Sequence, residues 1–268
     1  MKEWLRPYFT AFKLRALLET QYRGAALGGI ITQMAFGLAF IFLYQALYAS
    51  GGDTSVPFSQ VATYVWLQQA FFRALLGSDP ALSEAIMTGG IAYELCRPVN
   101  TYFYWYLRTF AQKVVGSLMR AVPMLTFAAI LPAPLNIGPP HSFASFLLFL
   151  LSLTMGMGVI SAIANILNAI TMRTLDPRGI GNVVQMIFFF LSGNIIPLSL
   201  FPSSLQNLVR YQPFSQALDL PIRFYTGSFS SSEILPAFCL QAAWLFILII
   251  LGQVWWRRNL LRVTIQGG

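Results

Sequence analysis

Asp79, Glu84, Glu94, Arg97, Arg108 and Lys113 fall between Gly77 and Lys113, in a chain that is otherwise nearly free of interior charge. Carboxylates and cations this close could serve acid–base chemistry, hold a metal, or dock on another protein. Catalysis by a base or a nucleophile needs a second group beside the first. The one histidine, His141, stands in a proline-rich turn, and no nucleophile–base pairing is evident. The two cysteines, Cys96 and Cys239, with that histidine do not make a typical zinc set. They are expected to be small buried thiols without a disulfide. Lys2, Lys13 and Lys113 are the only lysines, and none follows a glycine-rich loop, so no phosphate-cradling motif is present. The readings left are a docking helix and an ordinary solvated loop helix. Asp79-Pro80 is a helix start, with Glu84 in the first turns, and Gly89-Gly90 is a stop.

A second set of polar side chains interrupts long apolar runs. Gln33 lies near Gly29 and Gly37. Gln68 and Gln69 precede Arg73, with Gln69 and Arg73 on one helical face. Arg120 shares a face with Thr109, Gln112, Gly116 and Pro123. Asn165 lies on a stripe with Gly158, Ser161 and Asn168, and Asn194 sits beside Gly193. Such groups line a substrate path or glue helices together. For Arg120 the alternatives are a path lining, a bond to a neighbouring helix, or snorkelling to an interface. An arginine at mid-depth costs about 2.5–3.5 kcal/mol on insertion scales, so it should face protein or water. No carboxylate is expected deep in a span, which argues against a proton-coupled carrier.

The elements that must carry these residues are membrane helices. The 268 residues are 56% hydrophobic and 10% charged, against about 25% charged in soluble domains, and mean hydropathy is +0.63. The reading is an all-α polytopic membrane protein of one domain. Six transmembrane helices are expected near 26–48, 58–76, 110–131, 143–167, 180–196 and 234–256, each close to the roughly 20 residues a span needs. Gly51-Gly52-Asp53 turns the chain between the first two, and the prolines between Pro132 and Pro140 break the third from the fourth. Residues 1–23 read as an amphipathic N-terminal helix in the interface, with Leu5, Tyr8, Phe9, Phe12 and Ala16 at helical spacing. Residues 77–109 read as a loop carrying a short helix. Residues 197–233 read as short outer helices, re-entrant or surface-lying, between spans five and six.

Six spans place both termini on one side. Of the 17 lysines and arginines, thirteen fall on that side: five in the N-terminal segment, three in the 77–113 loop, two near Met172, and three in the tail including Arg262. Only Arg210 and Arg223 fall on the other. That asymmetry makes the termini and the loop cytoplasmic, in a cell membrane. It also explains the net charge of +8 without nucleic acid.

With the residues set out, the chain resembles permease subunits of ABC transporters of the ABC-2 type, in the six-span form that works with a separate ATPase. The stretch from Gly90 to Asn100 contains Leu95-Cys96-Arg97-Pro98, similar to the family's leucine-x-arginine-proline segment. Ser192-Gly193, Pro197, Phe201 and Pro202 are similar to its motif at the end of the fifth span. Leu208 to Phe214 is similar to its leucine-proline-phenylalanine continuation, except that Gln212 departs from the pattern. The resemblance implies an ATP-driven exporter half of unidentified cargo; aromatic-rich spans would suit an amphiphile, although membrane helices are often aromatic-rich in any case. The chain would pair with a second permease copy, identical or related, on two ATPase subunits. It implies no cofactor on this chain, with ATP and Mg on the partner. Asp79–Thr88 would be the coupling helix, with Asp79, Glu84, Ile86, Thr88, Glu94, Arg97 and Pro98 as the coupling residues. The alternatives are an ATP-independent secondary carrier or a membrane assembly scaffold.

Overall fold

The computed structural model describes residues 2–21, 23–51, 56–75, 77–176 and 178–261. Gly52, Asp53, Leu76 and Arg262, which figure in the expected turn, second span and tail, lie outside them. Among the described residues every element is helical: α1 Lys2–Gln21, α2 Arg23–Ala49, α3 Phe58–Leu75, α4 Pro80–Met87, α5 Ile91–Leu95, α6 Thr101–Ile130, α7 Phe143–Thr174, α8 Gly179–Leu191, α9 Ser203–Tyr211, α10 Pro213–Ala217, α11 Asp219–Tyr225 and α12 Ser231–Leu260, with a 3₁₀ turn at Leu198–Leu200. Four of these, α2, α6, α7 and α12, are long and apolar enough to cross a membrane.

Several boundaries differ from expectation. The third span was placed from residue 110, but α6 begins at Thr101, where Asn100 caps it by accepting from the Phe103 amide at 3.3 Å. Hydropathy marks where lipid-compatible residues begin, whereas the helix begins at its cap. Tyr102, Trp105, Tyr106 and Thr109 fill one buried face of the added turns. The fourth helix likewise runs past residue 167 to Thr174, ending at Leu175 in the left-handed region. The fifth stops at Leu191 rather than 196. Gly193 there has φ +78° and the Tyr64 hydroxyl packed where a Cβ would stand, so the turn requires glycine. The cysteines are also not buried: Cys96 and Cys239 are free and exposed.

The core is organised around α3, which packs against α2, α6, α7, α8 and α11. Thirteen of its residues are buried, from Val61 to Leu75. Trp66 is fully buried, donates to the Leu135 carbonyl at 2.8 Å, and lies against Gly37 of α2. The other central contact is α7 on α12. There Gln241, with no exposed surface, accepts from the Ser152 hydroxyl at 3.0 Å and donates to the Ser152 and Gln216 carbonyls at 2.9 and 2.7 Å. Such a residue would be costly facing lipid and instead joins α12, α7 and α10. A second cluster, Leu82, Ile86, Ile91, Tyr102, Trp105, Met172 and Trp256, seats α4 and α5 on α6, α7 and α12. This cluster marks the α4 end of the bundle.

Between α8 and α12 the chain is irregular and partly buried, so its carbonyls need partners. Side chains supply them. Tyr44 donates to Ile195 O at 3.2 Å, and Gln206 donates to Phe201 O at 2.7 Å. Gln212 donates to Leu191 O, the last carbonyl of α8, at 2.7 Å, while its own oxygen accepts from the Phe214 amide at 2.7 Å. The residue that departs from the leucine-proline-phenylalanine pattern thus caps two helices at once. Gln212→Leu is expected to lower the unfolding free energy of the purified chain by about 1–3 kcal/mol, the usual cost of orphaning a buried polar group. Thermal unfolding in detergent measures it, and an unchanged midpoint would remove the capping role.

Candidate functional site

Charged side chains of α1, α3 and α6 meet at the α4 end. Asp79 forms the N-cap of α4: its Oδ1 accepts from the Ala81 amide at 3.1 Å, and Pro80 takes the first helical position, where no amide hydrogen is needed. The carboxylate has no exposed surface. Oδ2 accepts from Arg108 Nε of α6 at 3.1 Å, and Arg15 of α1 lies 3.6 Å from Oδ1. Arg108 also stacks its guanidinium 4.9 Å over the Trp105 ring. Two residues further back, the buried Lys113 donates to the Gly77 carbonyl. The α3–α4 junction is therefore gripped at Gly77 and Asp79 by cations of two other helices.

The grip continues into a charged cleft of about 400 Å³ lined by Arg15, Glu19, Arg73, Glu84, Gln112 and Arg120 among others. Arg15 pairs with Glu19 at 2.6 Å, and Glu19 lies 3.9 Å from Arg73. Gln112, with its amide oxygen turned to the guanidiniums, accepts from Arg73 and Arg15, each at 3.1 Å. The α1 helix supplies two members of this network by docking along the first half of α6, where Tyr8 accepts from the Asn100 amide at 2.8 Å. Trp4, Leu5 and Phe9 stay on its exposed side.

The seven coupling candidates divide by face. Leu82 and Ile86, four apart, point inward, so Ile86 anchors α4 to the bundle. Asp79 is buried at its root. Glu84 and Thr88 are exposed on its free face, with Met87 between them. Glu94 is 8% exposed and lies 3.2 Å from Arg97, which is half-exposed and sits 5.3 Å from the Tyr104 ring centroid. Pro98 is exposed in the bend before α6. Beside them Tyr93 and Leu95 are solvent-facing apolar side chains. Glu84 and Met87 of α4 and Tyr93 and Leu95 of α5 are thus all exposed.

The six path candidates are scattered over the bundle. Gln68 and Gln69 are buried in α3, and Asn165, with both amide atoms unpartnered, is buried in α7. Asn194 is buried beyond α8, and Gln33 is half-buried on α2. Arg120 alone joins the charged cleft, with its guanidinium against Gly29 of α2. Arg15 and Glu19 were not singled out from sequence. Their i,i+4 spacing was visible, but not that α1 would bring them to a carboxylate some sixty residues away.

Among the described residues no group of three histidine, cysteine or acidic side chains could hold a metal ion. The arrangement is a short helix whose N-cap is held by cations and whose outer residues are exposed. No curated protein matches the sequence. A family model described as an ABC-2 family transporter protein matches residues 30–267, which takes in most of α2 and every later helix. With its apolar crossing helices and its clamped α4 corner, the chain belongs to the ABC-2 transporter family, as a multi-pass membrane permease.

Proposed function

We propose that the chain is the membrane-spanning half of an ATP-driven exporter, powered through α4 by a separate ATPase. The observation that carries this reading is the α4 corner, gripped at Asp79 by Arg108 and Arg15 and open on its Glu84 face. ATP binding would close the ATPase pair, and a helix seated on it would pass the motion to α6 through Arg108 and to α1 through Arg15. The excess of lysine and arginine near this end makes it cytoplasmic. Both termini then lie in the cytoplasm, with the protein in the cell membrane. Two permease copies, identical or related, would sit on two ATPases that hold ATP and Mg.

In this reading six segments cross the bilayer, the four long helices plus α3 and α8. The 18 residues of α3 reach about 27 Å at 1.5 Å per residue, close to the hydrocarbon thickness of about 30 Å. Its polar residues are tolerated because they face protein rather than lipid. The 13 residues of α8 reach about 20 Å, and the capped irregular segment completes the crossing. Residues 197–233 then form the outer cap, and α1 lies at the cytoplasmic interface.

Glu84→Arg tests the docking face. Reconstituted with its ATPase, the variant is expected to keep hydrolysis but lose about tenfold in transport, a free-energy change of about 1.4 kcal/mol at the contact. Its unfolding should shift by no more than about 0.5 kcal/mol, as for exposed sites generally. Normal transport by Glu84→Arg and by Tyr93→Ala would reject the coupling role. Transport in liposomes with no ATPase would instead establish a secondary carrier.

A further inference from the structure

On the other side of the α3–α4 junction, α3, α7 and α8 enclose a cavity of about 190 Å³. It is separate from the charged cleft, and its lining is graded along the helices. Helix α7 ends at Thr174 and α8 begins at Gly179, both at the α4 end, so position along each gives depth. Thr171 of α7, Arg178 at the N-cap of α8 and Asn182 of α8 line it nearest that end, Asn168 and Gln185 a turn deeper, and Ile163, Ile160 and Phe188 deepest. Among the described residues Arg178 is the only charged side chain on the lining, and none of their salt bridges occupies its guanidinium. The neighbouring Asp176 spends Oδ1 on the Arg178 backbone amide at 2.8 Å. Asn168 is 2% exposed and its Nδ2 donor has no partner in the protein.

This order, cation and amide donors outermost and branched apolar side chains innermost, is that of an amphiphile standing in the inner leaflet. The volume narrows the class. Ligand pockets usually measure about 300–1,000 Å³, and an engineered cavity of about 150 Å³ holds a benzene ring. The cavity therefore takes one short chain or ring, not the two chains of a bilayer lipid, and the rest of the molecule projects from its mouth. We infer that it binds a single-chain anionic amphiphile, with the acid group at Arg178 and the amides and the chain against Ile160, Ile163 and Phe188. The inference rests on the permease reading where it makes this molecule the exporter's cargo, taken up from the cytoplasmic leaflet. Because Gly77 lines the same cavity and is also held by Lys113, an occupant lies against the root of α4.

The test uses the full chain in neutral phosphatidylcholine nanodiscs, with decanoic acid and decanol each carrying a photoreactive diazirine. Decanoate label is expected on peptides covering 160–171 and 181–188, and excess unlabelled decanoate should remove it. Arg178→Glu should lower decanoate labelling about tenfold while leaving decanol labelling within about twofold. Gly181→Trp should lower both; a Cβ at Gly181 meets no atom within 4 Å, and thermal unfolding of each variant checks that the fold is kept. Label spread over the lipid-facing helices without competition would overturn the inference, as would native labelling of both variants. Binding here needs neither ATP nor an ATPase. A complex that exports other cargo but never takes the label in this cavity overturns only this inference. A chain that takes the label there but exports nothing with its ATPase overturns only the permease reading.

Discussion

Asp79→Ala is expected to abolish ATP-coupled transport and to destabilise the permease itself. The substitution removes three interactions at once. The α4 N-cap goes, at about 1 kcal/mol. Arg108 and Arg15, each with a side chain only 13% exposed, lose their carboxylate. Breaking a buried pair by removing one partner costs about 3–5 kcal/mol, because the remaining charge is left uncompensated. The second guanidinium is already shared with Glu19, so its loss is smaller. Asp79→Asn separates the contributions: its amide oxygen still caps α4 but carries no charge. Thermal unfolding in detergent and ATP-driven transport, measured on both variants, decide the matter. If Asp79→Ala unfolds like the native chain, the clamp is not a structural element. If it transports normally, α4 does not need its root.

Gly156→Leu is expected to have the second large effect, near the middle of α7. A Cβ on Gly156 would stand 2.5 Å from the Ala217 carbonyl oxygen and 3.1 Å from that residue's C and Cα. These are backbone atoms of α10, which cannot rotate aside as a side chain could. The helix must move off α7, and the bond from Gln241 to the adjacent Gln216 carbonyl moves with it. Overpacking of this kind costs about 1–3 kcal/mol, or more where backbone shifts. Gly28→Leu is the matched control, since a Cβ there meets nothing within 4 Å. It should unfold within about 0.5 kcal/mol of the native chain. Equal behaviour of the two variants would mean that α10 is not held against α7 as described.

How far the site could be read from sequence depends on how local each signal is. The start and stop of α4 were legible because Asp79-Pro80 and Gly89-Gly90 act within a turn of themselves, and the helix runs Pro80–Met87. The inward face was legible in principle, since Leu82 and Ile86 stand four apart. Their burial was missed because a greasy chain offers no contrast between lipid-facing and protein-facing residues. The start of α6 was missed for a related reason. Tyr102, Trp105 and Tyr106 are buried among other helices, so they extend a helix without extending an apolar run. Residues 180–196 read as one span because apolarity continues through Ile195 and Ile196, while the backbone breaks at Gly193.

Composition and charge order alone determined that this is a helical membrane protein with a polar loop after its second apolar run. Those properties follow from the cost of polar groups in lipid, which acts on each segment independently. Which polar side chains meet was decided only by the tertiary structure. Asp79 finds Arg108 and Arg15 because α1 packs along α6, and no local rule brings residues 15, 79 and 108 together. Gln212 became a cap rather than an exception because α8 ends beside it. Partner choice among buried polar groups is set by the packing of whole helices, and that packing is a property of the assembled bundle.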